Sequence, residues 1–199
     1  PIIPSATSPL FDHNKLLQTA KNYKKYMVEQ YQLFCRETED TQYWQKTVLH
    51  NYLYKGREVY IQAKRTMKKH DNFQKIVDLL PNNGSCLLMN CQQGEISLIS
   101  ALCRPSLTIY AFDKQENNLL TAKNCAANPQ NLIYENYKAI EKSYDTIVAC
   151  YPSQEQIDWL YLHQQSDNIY ILSDNKENFS HTQLITETPK YKILQLLSK

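Results

Sequence analysis

Polar or small residues come directly after three short apolar runs in the second half of the chain. One run is followed by the loop 90–94, the next by Asp113 and the third by Tyr151 with Pro152. A short apolar run bounded by turn residues is typical of a buried parallel strand. Ligands of open α/β sheets bind just outside the carboxyl ends of such strands. These three ends therefore predict a binding site made of Asn90, Cys91, Gln92, Gly94, Asp113 and Tyr151.

The spacing between the first two ends favours a nucleotide-like ligand. Asp113 lies about 20 residues beyond Gly94, a distance that suits an acid reaching a ribose hydroxyl from the neighbouring strand. Each residue also has a structural interpretation. Asp113 is a common residue type for a turn or a helix N-cap, Gly94 would allow close helix–strand packing, and Tyr151-Pro152 would simply end a strand.

The cysteines and histidines give no metal or disulfide pattern. The six cysteines include no CxxC pair, and the five histidines are scattered. Most cysteines lie within apolar stretches, where cysteine behaves as a small hydrophobic residue. We predict reduced thiols, a cytoplasmic compartment and no metal site. Cys91 in the loop is a conceivable nucleophile, but no base is paired with it, so a core thiol is the favoured interpretation.

The elements that would position these residues alternate between strand and helix over residues 85–175, which predicts an open parallel α/β sheet. Two β-like segments that meet at Pro189 predict an antiparallel hairpin at the end of the chain. Helical periodicity dominates before Gly84. The predicted organisation is a linker over 1–14, a helical N-terminal cap over 15–83 and an α/β domain over 84–199.

Composition excludes several classes of protein. The chain has 199 residues and only three glycines, against about 14 at the usual frequency of roughly 7%. The chain has 42% hydrophobic and 21% charged residues, a composition that excludes collagen-like and disordered chains. No apolar run is long enough to predict a membrane span, and no signal peptide is visible.

The net charge of +2 is too small to indicate nucleic acid as a partner. Basic residues are concentrated in the first 80 residues, most densely at 64–75. A solvated helix face is the favoured interpretation of this run. A surface for anionic lipid or phosphate is the first alternative, and a surface for nucleic acid is the second.

The segment Leu87–Glu95 resembles the first motif of class I S-adenosylmethionine-dependent methyltransferases. That motif has an acidic residue followed by three alternate glycines. With Gly94 aligned to the last glycine, the acidic position is Leu88 and the first two glycine positions are Asn90 and Gln92. The first motif is therefore degenerate.

Two further segments resemble motifs of the same family. AFD at 111–113 is similar to the second motif, whose acid binds the ribose diol of the cofactor, and YDTIVACYP at 144–152 is similar to the fourth-motif strand. The resemblance implies a Rossmann-like methyltransferase sheet, S-adenosylmethionine as cofactor, and contacts from the 90–94 backbone and Asp113. It does not assign a general base. Because two glycines and the acid are replaced, a non-catalytic scaffold or interaction module is the alternative.

Upstream, NYLYKGREVYIQAKR at 51–65 resembles the lead-in of bacterial methyltransferase domains fused behind a lipid acyltransferase and an exporter of the resistance-nodulation type. This resemblance implies a lipid or small-molecule acceptor and a place in a larger membrane-associated protein, of which a chain without an initiator methionine would be a fragment. Tyr52, Tyr54 and Lys55 are candidates for the mouth of the site, with aromatic packing between cap and sheet as the favoured alternative.

Overall fold

The computed structural model divides the chain into two units, Pro1–Glu37 and Thr38–Lys199. In the first unit, residues 17–25 are helical (α1), within the segment 15–83 for which the sequence predicts helices. The predicted boundaries at 14 and 83 stay predictions. The structure describes these parts of the chain: residue 14 and residues 17–25, 40–52, 55–70, 73–124, 128–135, 142–163 and 166–197.

The described part of the second unit contains six helices and seven strands. The helices are α2 (Thr41–Asn51), α3 (Arg57–Lys69), α4 (Gln74–Val77), α5 (Glu95–Cys103), α6 (Glu116–Lys123) and α7 (Gln154–His163). The strands are β1 (Gly84–Met89), β2 (Leu107–Phe112), β3 (Leu132–Glu135), β4 (Thr146–Cys150), β5 (Ile169–Ser173), β6 (Thr182–Glu187) and β7 (Lys192–Leu196).

The strands form one sheet in the order β3-β2-β1-β4-β5-β7-β6. Strands β1 to β5 pair in parallel, and β7 pairs antiparallel with both β5 and β6. The predicted fold class is thus confirmed, including the antiparallel C-terminal hairpin. Strand order reverses between β1 and β4, and their carboxyl ends are in register through Met89 and Ala149. This is the switch point at which α/β sheets bind ligands.

Local sequence signals explain where the helices before the sheet begin and end. Asp40 accepts hydrogen bonds from the backbone N–H groups of Gln42 (3.0 Å) and Tyr43 (3.2 Å) and so begins α2. The sequence predicts a further helix through Leu80 with Asp71 as its cap, and Asp71 lies outside the described residues. That helix, α4, is a single turn that ends at Val77, shorter than the segment through Leu80 that the sequence predicts.

Both faces of the sheet are covered. Helices α2 and α3 pack against α5, and the core on their side includes Leu88. Helix α7 covers the other face, where Leu87 and Met89 are buried. Because β1 is buried on both faces, its side chains are apolar in an unbroken run. Polar groups therefore gather where the strands end, at the carboxyl edge.

Candidate functional site

The loop after β1 turns by means of left-handed residues. Asn90 has φ 56°, Gln92 φ 52° and Gly94 φ 90°. The Cys91 N–H donates to the Phe112 carbonyl (3.0 Å), which extends the β1–β2 pairing by one bond, and the Gly94 N–H donates to the Cys91 carbonyl (2.9 Å). Asparagine tolerates this backbone region well, whereas a residue such as Gln92 adopts it at a cost of roughly 1–2 kcal/mol. The turn of the glycine motif is therefore formed without its first two glycines.

Gly94 is required by close packing. A Cβ at this position would lie 2.5 Å from the Tyr134 hydroxyl oxygen of β3 and 2.9 Å from the Ala122 Cβ of α6. Those distances are shorter than carbon contacts allow. The surroundings of Gly94 thus match its structural interpretation, in which glycine allows a helix and a strand to pack closely.

Asp113 joins the ends of β1 and β2. Its Oδ2 accepts from the Gln92 N–H (2.8 Å), and its Oδ1 accepts from the Gln115 N–H (2.8 Å) and the Asn118 side-chain amide (3.1 Å). The side chain is only 6% exposed. A carboxylate has about four acceptor positions, so these bonds leave one position, on Oδ2, for a ligand.

Asn90 and Gln156 form a reciprocal pair of side-chain amides between the β1 loop and α7. The Asn90 amide donates to Gln156 Oε1 (3.1 Å), and the Gln156 amide donates to Asn90 Oδ1 (3.2 Å). The Ser153 N–H also donates to Gln156 Oε1 (3.0 Å). Gln156 is thereby fixed in the first turn of α7, directly beside the carboxyl end of β1.

Two predicted site residues direct their side chains toward α3. The Thr66 hydroxyl donates to Gln92 Oε1 at 3.4 Å. Tyr151, at φ 49°, lies 2.7 Å through its hydroxyl from Nε2 of the buried His70, whose Nδ1 lies 3.0 Å from the Thr66 carbonyl. A carbonyl only accepts, so Nδ1 donates to it; in a neutral imidazole, Nε2 then accepts from the Tyr151 hydroxyl.

The surroundings of Tyr151 fix it further. The Lys69 ammonium lies 3.6 Å from the centre of its ring, a cation–π contact. Burial raises the pKa of Tyr151 well above its usual value, with smaller contributions from Cys150 and Asp174. Tyr151 therefore anchors the end of β4 to α3 as a neutral phenol.

Cys91 lies in the core. Burial, together with the nearby Asp113, Cys150 and Glu95, raises the pKa of its thiol well above the usual value. A thiol in this state is a poor nucleophile. Cys86, Cys91, Cys103 and Cys150 are all buried thiols that take part in no disulfide.

Glu95, the first residue of α5, has a completely buried carboxyl group. Among the described residues, no donor makes a hydrogen bond of good geometry to either oxygen. Burial raises the pKa of Glu95 to about 7, although the nearby N–H groups of Gln93 and Glu95 and the Thr66 hydroxyl lower it in part. Glu95 is not among the site residues predicted from the sequence.

Two surface depressions adjoin the end of β2 and share Phe112 and Lys114. The first, with a volume of about 210 Å³, faces α7, and the second, about 310 Å³, faces α6. Small-molecule sites usually measure about 300–1,000 Å³. The remaining residues of the first depression are Met89, Ser153, Glu155, Gln156 and Trp159, and those of the second are Asp113, Glu116, Leu119, Leu120 and Lys123.

Of the residues that line the two depressions, only Asp113 is among the predicted site residues. Lys114 and Ser153 come within three residues of the ends of β2 and β4, so the rule that ligands bind at carboxyl ends would have found them. Gln156 and Trp159 lie on α7 and carry no signal in the sequence.

The predicted mouth residues make contacts inside the protein. Tyr52 is fully buried and its hydroxyl donates to the Gln93 carbonyl (2.8 Å), so it packs between cap and sheet. The Lys55 ammonium donates to the Asn124 carbonyl. Tyr54 lies outside the described residues.

The described residues include no group of three or more histidine, cysteine, aspartate or glutamate side chains arranged for a metal ion. In the same part of the chain, no helix has the length and apolarity that crossing a membrane requires.

Neither a protein-family model nor a curated protein sequence matches this chain. The fold matches solved structures. Magnesium protoporphyrin IX methyltransferase from Synechocystis PCC 6803, with bound SAH, aligns with a TM-score of 0.52 and 15% identity over 69% of this chain and 87% of that chain. A methyltransferase from Pyrococcus furiosus aligns with a TM-score of 0.53 and 10% identity over 66% of this chain and 83% of that chain.

Human N-acetylserotonin methyltransferase in complex with SAM aligns with a TM-score of 0.52 and 10% identity, over 71% of this chain and 55% of that chain. In several matches this chain spans less than two thirds of the solved protein. Identities this low show a shared fold, the class I methyltransferase fold, and leave the activity to be argued from the site.

Proposed function

We propose that the carboxyl edge of the sheet binds S-adenosylmethionine and that the chain is a methyltransferase-like domain. The observation that carries this proposal is the position of Asp113, at the end of β2, beside the switch point and in the wall of the second depression. An acid at this position suits the hydroxyls of a ribose. Solved structures of the same fold contain SAM or SAH.

The acceptor positions of Asp113 fit such a ligand. One acceptor position on Oδ2 is available for a ribose hydroxyl while the Gln92 N–H stays bonded. The aromatic rings of Phe112 and Trp159 in the first depression offer apolar surface for a base or for an acceptor. S-adenosylmethionine would supply an electrophilic methyl group, and the residues of the edge would bind and orient the two reactants.

The acceptor is proposed to be a lipid or another apolar small molecule. The apolar side chains of Met89, Phe112 and Trp159 in the first depression support this class. We assign no general base. The buried free thiols favour a reducing, cytoplasmic compartment. The resemblance at 51–65 supports a place in a larger bacterial exporter fusion protein.

A second candidate function is a non-catalytic scaffold or interaction domain. The observation that favours it is the state of the first motif. Leu88 fills the acidic position and is fully buried, and the Asn90 side chain is bonded to Gln156 beside a depression of only about 210 Å³. In this case the fold is kept for its stability and its surface.

The two functions are separated by isothermal titration calorimetry with S-adenosylmethionine and with S-adenosylhomocysteine. We expect both to bind to the wild-type chain. Asp113→Asn should weaken binding by roughly 10- to 100-fold, since a hydrogen bond to a charged group contributes about 1.5–3 kcal/mol. Asp78→Asn, an exposed change at the end of α4, is the matched control and should bind as wild type does.

The absence of heat and of a thermal shift at millimolar ligand, in a chain with native circular dichroism, would reject the cofactor proposal and support the scaffold. Equal binding by wild type and Asp113→Asn would show that the ligand lies elsewhere.

A further inference from the structure

We propose that the Asn90–Gln156 amide pair narrows the first depression, so that a ligand as large as S-adenosylmethionine enters it only by breaking the pair. This inference rests on the proposed function for the identity of the ligand. Gln156 is itself a wall of the depression. Its two bonds to Asn90 join segments that are 66 residues apart in the chain.

The pair is held in place from both sides. On α7, Gln156 accepts from the Ser153 N–H, and its own N–H lies 3.3 Å from the Ser153 hydroxyl. On the β1 loop, Asn90 is fixed by its left-handed backbone and by the following Cys91 N–H bond to β2. The pair thus connects the β1 loop to the first turn of α7 beside the first depression.

Asn90 occupies the position at which the aligned motif has its first glycine. A glycine would make the same left-handed turn without any side chain, and no amide pair would then form. The asparagine keeps the turn and adds a side chain that reaches α7. The small volume of the first depression, about 210 Å³, is consistent with a wall drawn inward by this contact.

A ligand that displaces the pair must offset two partly buried hydrogen bonds. Removal of the pair should therefore tighten binding by roughly 5- to 100-fold, from the usual net contribution of such bonds. The opening should also make Trp159, in the same wall, more accessible. The other tryptophan, Trp44, is 2% exposed and gives a constant background.

The experiment compares wild type with Asn90→Gly, Gln156→Ala and the double variant. Gln154→Ala is the matched control, because the Gln154 amide bonds Asp158 and Ser180 and does not line the depression. Far-UV circular dichroism checks folding. Acrylamide quenching of tryptophan fluorescence measures opening without ligand, and calorimetric titration with S-adenosylhomocysteine measures binding.

We expect higher quenching and tighter S-adenosylhomocysteine binding in both single variants, no further gain in the double variant, and no change in Gln154→Ala. Higher quenching in Asn90→Gly, with no ligand binding by any of the proteins, would support the role of the amide pair and reject the proposed cofactor. Unchanged quenching in Asn90→Gly, or weaker binding in both single variants, would overturn the inference. If the wild-type chain still bound S-adenosylhomocysteine in that case, the proposed function would be unaffected.

Discussion

Replacement of Glu95 by glutamine should make the protein more stable at neutral and alkaline pH. The Glu95 carboxyl is fully buried, and burial raises its pKa from 4.5 to about 7. The N-terminus of α5 favours a negative charge, but here the loss of hydration outweighs it. Glutamine has nearly the same shape and carries no charge, so it removes the cost of ionising a group inside the core.

The sign follows from the direction of the pKa shift. Between pH 4.5 and about 7 the folded chain keeps a proton on Glu95 that the unfolded chain releases. The free energy of unfolding therefore falls as the pH rises through this range. At about 1.4 kcal/mol for each unit of pKa, the full loss is about 3 kcal/mol. Most of this loss of stability has occurred by about pH 8, and little of it occurs below about pH 5.

Urea denaturation from about pH 5 to about pH 8 measures this effect. The stability of Glu95→Gln relative to wild type should increase by about 2–3 kcal/mol over the range. Glu116→Gln is the matched control, because Glu116 is also the first residue of its helix, α6, but is exposed. Parallel pH profiles for wild type and Glu95→Gln would refute the reasoning, as would a carbon NMR titration that places the pKa of Glu95 near 4.5.

Two further substitutions test local geometry. Gly94→Ala should lower the free energy of unfolding by about 2–5 kcal/mol, through backbone strain and contact with Tyr134 and Ala122. Chemical denaturation measures this loss; a loss of only about 1–2 kcal/mol, which left-handed backbone strain explains alone, would contradict the packing argument. Asp40→Ala should cost about 1 kcal/mol by removing the α2 cap, and an unchanged denaturation midpoint would show that the cap contributes nothing.

Much of the fold could be predicted because its signals are local. Apolar runs bounded by turn residues gave the strands, and the break at Pro81–Gly84 separated the helical part from the sheet. The antiparallel hairpin followed from two β-like segments around Pro189. These signals depend on neighbours within a few residues, so they can be recognised in the sequence without knowledge of long-range contacts.

The contacts that shape the site could not be predicted because their partners are far apart in the chain. Tyr151 bonds His70, 81 residues away, and Asn90 bonds Gln156, 66 residues away. No periodicity marks such pairs. For Glu95 a signal did exist: the segment EISLISAL is largely apolar around the whole helix, which indicates a helix buried on all sides, including its first turn.

Side chains at left-handed positions connect this edge to the elements that cover it. A non-glycine residue costs about 1–2 kcal/mol there, less for asparagine. Yet Asn90 gains two bonds to α7, and Tyr151 gains one bond to His70, which follows α3. A glycine loop leaves the same space to a ligand. Stability and ligand affinity are therefore opposed at position 90. Since the Asn90→Gly variant loses the amide pair and opens the cleft, its free energy of unfolding and its dissociation constant for S-adenosylhomocysteine should both decrease.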